Sequence, residues 1–451
     1  MPENKMGVMP VKKLIVTMSL PMMISMLVQA LYNIVDSVFV AKLSEEALTG
    51  VTLAFPMQNL MFAVAGGTGV GINAMLSKAL GEKKQDEADS AAGNGIVLNL
   101  VASLIFMAAS FMGAAGVFIG SQTADPVIAR EGTTYLSIIM VLSIGMSAQI
   151  TMERLLQSTG RTFYTMITQI MGAGINIIMD PIMIFGLFGF PRLGVAGAAY
   201  ATIIGQSIAA TLGLIFNLTK NHDIRFSRKI LKLKADTVKR IYVVGVPSIL
   251  MIAIGAVMTY FINLILSAFS STAVAVFGAY FKLQSFFFLP VFGLNNGVIP
   301  VLAFNYGARN KERIKEALRF SILLAFLVMC FGTAVLELIP GKLLALFSAS
   351  DDMMALGITA LRTIAWHFPI AGICIAMGSV FQAFGRSFYS LMVSLGRQIF
   401  VLIPVAYGLS LTGNVDNVWW AFLISELVSF CLTMFFFRRI DRNIIHTLDE
   451  G

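Results

Sequence analysis

Apolar stretches long enough to cross a membrane recur along the whole chain. A helix needs about 20 mostly apolar residues to span the ~30 Å hydrocarbon core of a bilayer, because each residue adds ~1.5 Å. The chain has 451 residues, of which 57% are hydrophobic and only 12% are charged. The predicted spans are residues 14–40, 48–77, 91–120, 127–152, 163–189, 194–217, 241–268, 272–304, 317–347, 354–381, 388–411 and 416–437. The sequence therefore predicts an all-α, polytopic membrane protein with about twelve transmembrane helices.

The distribution of basic residues predicts the orientation of these helices. Of 32 Lys and Arg residues, 25 lie at the N-terminus, in even-numbered connections or at the C-terminus, and only 4 lie in odd-numbered connections. Cytoplasmic loops carry such an excess, so we expect both termini to be cytoplasmic and the protein to lie in the plasma or inner membrane. The basic stretch "KNHDIRFSRKILKLKADTVKR" at 220–240 is interpreted as a cytoplasmic linker that contacts anionic lipid headgroups, and not as a nucleic-acid site.

Two further features limit the possible classes of protein. The first apolar stretch is longer than the apolar region of a signal peptide, so we expect it to be retained as a helix. Cys330, Cys374 and Cys431 fall inside apolar runs without paired spacing. This pattern predicts neither a disulfide framework nor a metal site built on cysteine.

The two halves of the chain repeat one another. "QSTGRTFY" at 157–164 matches "QAFGRSFY" at 382–389 at five of eight positions. At an offset of 226, five identities follow in order: Pro21 with Pro247, Gln58 with Gln284, Gly67 with Gly293, Gly71 with Gly297 and Gly81 with Gly307. A repeat of this length indicates a duplicated structural unit.

The repeat predicts the organisation of the domains. Six helices is an even number, so both copies enter the membrane in the same direction and are expected to be related by a pseudo-two-fold axis along the membrane normal. Parallel repeats of this kind occur in alternating-access transporters. The predicted units are an N-terminal lobe at 1–218, a basic cytoplasmic linker at 219–240 and a C-terminal lobe with its tail at 241–451. We expect a monomer.

Polar residues in two N-terminal helices predict an ion site. Gln29, Asn33 and Asp36 are spaced i, i+4, i+7 and are expected to form one polar stripe, which must face protein or water because lipid cannot satisfy it. Asn176 and Asp180 are spaced i, i+4 on the fifth helix.

The residue types in these two helices suit a small cation. Pro181 cannot donate to the carbonyl of Ile177 and is expected to kink its helix. Together with the Thr202 hydroxyl, the acids and amides offer oxygen ligands to a hard cation. A proton would equally neutralise the pair of carboxylates, so the residues leave Na⁺ and H⁺ open.

A purely structural role for the acids is the alternative. Intramembrane ionisable residues are usually functional, yet buried acids can also stabilise helix packing through hydrogen bonds. At the duplication offset of 226, Asp36 corresponds to Ile262. The counterpart of "MDPIMIFG" in the second half is "LIPVAYG" around Pro404, which has no acid. Only the N-terminal half has kept the carboxylates, which a packing role does not predict.

The chain resembles the multidrug and toxic compound extrusion (MATE) family, within the wider superfamily that includes lipid-linked oligosaccharide flippases. The resemblance rests on the 6+6 spans, the duplicated "GR-x-FY", the pair "GINAMLSKALGEKKQDEA" and "GVIPVLAFNYGARNKERIKEA", and "NIIMDPIMIFGLFGFPRLGVAGAAYAT" at 176–202. It implies a polyspecific exporter that exchanges organic, often cationic, compounds for H⁺ or Na⁺. By the same resemblance, Asp36, Asn176, Asp180 and Thr202 match the family's N-lobe cation or proton site.

Substrate contacts are expected in a cavity with adaptable aromatic walls. Glu426 is predicted either to pair with Lys282 or Arg397, or to bind a cationic substrate, and His367 is interpreted as an interior histidine. Glu153 is interpreted as one half of an interfacial pair with Arg154. The predicted cavity residues are Gln29, Lys282, Gln284, Phe286, Phe287, Phe288 and Glu426.

The predicted function is that of a secondary antiporter for small organic compounds, which we expect to be cationic and amphiphilic. No Walker motif and no nucleophile or metal-site pattern is visible, so we predict neither an enzyme nor a cofactor other than the coupling ion. One alternative is a lipid-linked oligosaccharide flippase, which would be expected to carry many intramembrane Arg residues. Another is a membrane-embedded lipid-modifying enzyme, which would be expected to show clustered acids or His at a helix end.

Overall fold

The computed structural model describes residues 4–347 and 349–449, and within them every regular element is a helix. In this part of the chain, ten helices are long and apolar enough to cross a membrane. Two bent pairs, Pro126–Val141 with Ile144–Ser158 (49°) and Asp351–Ala365 with Phe368–Ala383 (44°), raise the number to twelve if each pair is one span. The chain is therefore a multi-pass membrane protein, as the sequence predicts.

The helices follow one another with short connections. In chain order they are α1 (Lys5–Val8), α2 (Val11–Ala41), α3 (Glu45–Gly81), α4 (Gln85–Phe111), α5 (Ala114–Gly120), α6 (Pro126–Val141), α7 (Ile144–Ser158), α8 (Thr162–Phe185), α9 (Val195–Lys220), α10 (Ala235–Ser267), α11 (Ser271–Gly307), α12 (Lys311–Leu338), α13 (Pro340–Ala345), α14 (Asp351–Ala365), α15 (Phe368–Ala383), α16 (Ser387–Leu395), α17 (Ile403–Ser410), α18 (Val415–Val418) and α19 (Trp420–Ile440). A π-helical segment, Gly396–Leu402, joins α16 to α17. Several predicted spans therefore contain helix breaks that their hydropathy does not mark.

Packing groups the described residues into two compact units. The N-terminal unit comprises residues 24–245, and the C-terminal unit comprises residues 4–23 and 246–449. This grouping differs from the predicted boundaries at 218 and 241. The first turns of α2 belong to the C-terminal unit, and the first turns of α10 belong to the N-terminal unit. The first long helix of each repeat is therefore divided between the two units.

The duplication is visible in the backbone of each unit. Gly160 and Gly385 both have positive φ, +87° and +72°, and after each of them the next residue, Arg161 or Arg386, donates its N–H to a carbonyl five residues back. Glycine suits this turn because it has no Cβ to clash at positive φ. Lys83 and Arg309 are a second equivalent pair, at φ 58° and 54°.

The basic segment between the repeats is docked on the N-terminal unit. Asn94 of α4 donates from Nδ2 to the carbonyl of Lys232 (3.1 Å) and accepts at Oδ1 from the backbone N–H of Lys234 (2.8 Å). Gly93 permits this approach, since a Cβ there would lie 2.1 Å from the carbonyl oxygen of Ile230. The segment at 223–234 is therefore fixed to α4 by specific contacts.

Candidate functional site

Close packing of α8 on α9 positions the first part of the site. A Cβ built on Gly205 of α9 would lie 2.6 Å from the carbonyl oxygen of Gly172 on α8, so the two backbones approach more closely than any larger residue allows. One turn further along α8, Asn176 Nδ2 donates to Thr202 Oγ1 at 3.2 Å. Thr202 in turn donates to the Ala198 carbonyl at 3.0 Å. The small-residue contact therefore brings an amide and a hydroxyl together in a buried position.

The two predicted acids lie together in the N-terminal unit. Asp36 of α2 is 7% exposed and Asp180 of α8 is fully buried, and the two carboxyl groups are close enough to interact electrostatically. Four buried oxygens of this region have no hydrogen-bond partner: Asp36 Oδ1, Asp180 Oδ1, Asp180 Oδ2 and Asn176 Oδ1.

This arrangement of oxygens fits a small cation or a proton. Buried polar atoms normally have partners, and two carboxylates in one buried site are costly unless a positive charge or a proton neutralises them. The Asn176 amide uses its NH₂ on Thr202, which leaves its oxygen free beside the acids. α8 also remains helical through Pro181, whose missing N–H leaves the Ile177 carbonyl without its usual helical donor. The oxygens of this region are of the type that a hard cation such as Na⁺ prefers.

The polar face of α2 differs in one residue from the predicted stripe. Gln29 and Tyr32 both line a cavity in the N-terminal unit, on the side of α2 that carries Asp36. Asn33 is exposed and is not part of this set. The i, i+3, i+7 positions are Gln29, Tyr32 and Asp36, and sequence reasoning missed Tyr32 because a phenol in an apolar run resembles an ordinary core aromatic residue.

The cavity continues from the Asn176–Thr202 contact to a third acid. It encloses about 560 Å³, including the part that is open to solvent, and its lining is rich in side-chain amides. The lining residues are Gln29, Tyr32, Phe62, Met146, Gln149, Ile150, Glu153, Gln169, Gly172, Ala173, Asn176, Thr202 and Gln206.

Glu153 was predicted to be interfacial, and the structure corrects that interpretation. Its side chain is 4% exposed, and its carboxylate accepts hydrogen bonds from Gln149 Nε2 (3.0 Å), Gln169 Nε2 (2.9 Å) and Thr168 Oγ1 (3.1 Å). Its place next to Arg154, directly after the predicted span at 127–152, suggested a membrane interface. The packing of α8 and α9 on α7 buries it, and no sequence signal marks that packing.

The predicted cavity residues of the second half belong to the C-terminal unit and do not line this cavity. Phe288 is buried against Phe368, with ring centroids 5.1 Å apart, and Phe287 packs against the same ring at 6.1 Å. These two aromatic rings thus form core contacts. Phe286 is exposed, Gln284 is half-buried, and exposed Lys282 places Nζ 6.0 Å from the ring centroid of Phe347.

The predicted partner of Glu426 is decided by the structure. Arg397 Nη1 donates to Glu426 Oε2 at 3.1 Å. His367 is buried, its Nδ1 lies 2.8 Å from the Ile364 carbonyl oxygen, and its ring stacks on Phe422. His367 is therefore an interior histidine, as predicted, and Glu426 is one half of a buried ion pair.

Comparison with solved structures identifies the fold. An outward-facing multidrug resistance MATE family transporter of the MOP superfamily is 25% identical and superposes over 100% of this chain and 99% of its own, with a TM-score of 0.92. A MOP superfamily transporter from Pyrococcus furiosus, described as having a binding pocket of reverse polarity, is 24% identical over 100% of this chain and 99% of its own, with a TM-score of 0.92. The all-helical, two-lobed fold of MATE transporters is thus the fold of this chain.

Sequence comparison gives the family. Multidrug export protein MepA of Staphylococcus haemolyticus is 28% identical over 427 residues, which cover 92% of this chain and 91% of that protein. An FAD transporter of Shewanella oneidensis is 26% identical over 416 residues, 91% of this chain and 90% of that protein. The MatE family model matches residues 21–182 and 247–408, two ranges offset by 226 residues, the offset of the internal repeat. The chain therefore belongs to the MatE family of transporters.

Proposed function

We propose that the protein is a secondary active exporter that exchanges small organic compounds for H⁺ or Na⁺ by alternating access. One observation carries the coupling role: Asp36 and Asp180 are buried side by side with oxygens that accept no hydrogen bond, next to the free oxygen of Asn176. Such a group of acceptors is incomplete without a positive charge.

The residues of the site divide the work of coupling. Asp36 and Asp180 hold the proton or Na⁺, and Asn176 and Thr202 add neutral oxygens that fix its position. Asp36 lies on α2 and Asp180 on α8, so neutralising the pair removes a repulsion between these helices. Only a difference in affinity between two conformations can couple the ion to the substrate. We propose that the neutralised pair favours the conformation that binds the organic substrate weakly.

Glu153 supports a preference for cationic substrates. Its carboxylate is the acid exposed to the amide-rich cavity, and a desolvated negative charge attracts an organic cation strongly. The staphylococcal relatives are named for multidrug export, which agrees with an adaptable cavity. The Shewanella relative is named for FAD, so a flavin nucleotide belongs among the competitors to be tested. Neither a flippase nor a membrane enzyme is favoured by these relatives.

We further propose a monomer in the cell membrane with both termini in the cytoplasm. The docked segment at 223–234 and the basic residues at the turns around Lys83 and Arg309 would then all face the cytoplasm. Accessibility labelling of single cysteines placed in these turns in intact cells tests the orientation, and labelling from outside the cell would contradict it.

Substitution of Asp36 by Asn tests the coupling role. In proteoliposomes loaded with a fluorescent cationic dye, Asp36→Asn should abolish transport driven by a pH gradient or by a Na⁺ gradient, whichever drives the wild type. Applying each gradient alone identifies the ion. Asn33→Ala is the matched control, because Asn33 lies on the same helix but is exposed, and it should transport like the wild type. Wild-type export by Asp36→Asn would contradict the proposal.

A further inference from the structure

The C-terminal unit holds an ion pair with a buried carboxylate on the elements that are equivalent, by duplication, to α8 and α9. The repeated "GR-x-FY", which directly precedes these elements, sets an offset of 225 residues in this part of the repeat. At that offset Arg397 lies four residues, about one helical turn, before the equivalent of Asn176, and Glu426 lies one residue before the equivalent of Thr202. An ion pair in one unit therefore lies close to the position at which the other unit has its buried amide–hydroxyl contact.

The geometry of the pair is that of a neutralised carboxylate. Arg397 Nη1 donates to Glu426 Oε2 at 3.1 Å, with side-chain exposures of 28% and 2%. The second carboxylate oxygen, Oε1, is buried and accepts no hydrogen bond. Arg397 lies in the π-helical segment, and Gly396 beside it allows a close approach to α19, because a Cβ there would lie 2.6 Å from Leu432 Cδ1. Irregular π-helical turns of this kind are frequent at functional sites.

Four titratable groups interact electrostatically with Glu426. They are Arg397, Tyr280 of α11, His367 before α15 and Cys374 of α15. The Tyr280 hydroxyl is buried and has no hydrogen-bond partner. Of these four groups, Arg397 alone carries a permanent positive charge. A buried carboxylate needs such a partner.

We infer that the guanidinium of Arg397 is a built-in cation, which permanently occupies a C-terminal counterpart of the Asp36–Asp180 site. Removing it would open a site for one monovalent cation, a proton or Na⁺, on Glu426 with the Tyr280 hydroxyl beside it. The two units then differ in the source of the charge, which is the solution in one and the chain itself in the other. The protein would have a single exchangeable cation site. Only the number of exchangeable cation sites rests on the proposed function.

The test measures cation binding to the purified full-length protein. In a background that lacks the N-terminal acids, Asp36→Asn/Asp180→Asn, binding of radioactive Na⁺ at alkaline pH and proton uptake in Na⁺-free buffer are compared. Binding to the background, which keeps the buried Glu153, sets the baseline for both cations. Addition of Arg397→Met should add about one Na⁺ or one proton per chain to that baseline, because a buried, unpaired carboxylate must be neutralised. Further addition of Glu426→Gln should abolish that binding, and Arg397→Lys should not create it.

Three results would overturn the inference. Arg397→Met folds in the background but binds no additional cation, or the additional binding survives when Glu426→Gln is added. The third is that the background binds a cation before Arg397 is changed and loses it with Glu426→Gln. If Arg397→Met does not fold, Glu426→Gln is made alone in the wild-type chain. It should bind the same number of cations as the wild type. A lower number would contradict the inference. Absence of binding to the wild type would instead refute the proposed coupling site, so the two failures are distinguishable.

Discussion

The contact between Gly205 and Gly172 is the most direct test of how the site is positioned. In Gly205→Ala the new Cβ would lie 2.6 Å from the Gly172 carbonyl oxygen and 3.2 Å from the Asn176 Cβ. Carbon–oxygen contacts are normally at least about 3.3 Å, so α8 and α9 must separate by about 0.7 Å. The 3.2 Å bond between Asn176 and Thr202 would lengthen beyond hydrogen-bonding distance.

The expected magnitude follows from two opposing effects. Overpacking costs about 1–3 kcal/mol, whereas replacing a helical glycine by alanine gains about 1 kcal/mol. Gly174→Ala is the matched control, because it lies on α8 and a Cβ there meets nothing within 4 Å. Both variants gain stability from replacing a helical glycine by alanine. The difference between their free energies of unfolding is therefore the cost of overpacking, about 1–3 kcal/mol.

Thermal unfolding in detergent and ion-driven dye export would be measured on both variants. Gly205→Ala should unfold at a lower temperature than Gly174→Ala and should export more slowly at the same ion gradient, with the largest deficit at low ion concentration. Gly174→Ala should match or exceed the wild type in stability and should match it in transport. If both variants unfolded and transported alike, the close approach of α8 and α9 would not position the site.

Two further predictions concern the acid of the cavity and the docked segment. Glu153→Gln should destabilise the protein by about 1–3 kcal/mol, because one of the donors that bind the carboxylate would meet an NH₂ group. In a fluorescence titration it should weaken binding of a cationic dye more than binding of a neutral substrate. Equal losses of affinity for both compounds would contradict an electrostatic role. Asn94→Ala should release the segment at Lys232 and Lys234 and increase its cleavage by trypsin, whereas Asn99→Ala, which removes a buried amide on the same helix, should lower stability without this cleavage. Equal cleavage of the two variants would count against specific docking.

Much of the fold could be predicted from local properties of the chain. The lengths of the apolar runs predict the length and the number of the spans. Repeated residues predict the duplication, which the two matches to the family model confirm. The interruptions of these spans could not be predicted. The break between Val141 and Ile144 and the π-helical segment at Gly396–Leu402 lie inside predicted spans whose hydropathy does not mark an interruption, so tertiary packing decides the backbone path there.

The sequence by itself predicts Asp36, Asn176, Asp180 and Thr202 as a set, because acids and amides in apolar helices must face one another or water and because these four residues match the cation or proton site of the family that the chain resembles. The tertiary structure alone decided which neighbours complete the set. Tyr32 replaces Asn33 since side-chain direction depends on the rotation of α2 about its axis, and Glu153 joins the cavity since α8 and α9 cover α7. Arg397, and not Lys282, pairs with Glu426 for the same reason: spacing along a chain fixes the face of a helix, but only packing fixes what that face meets.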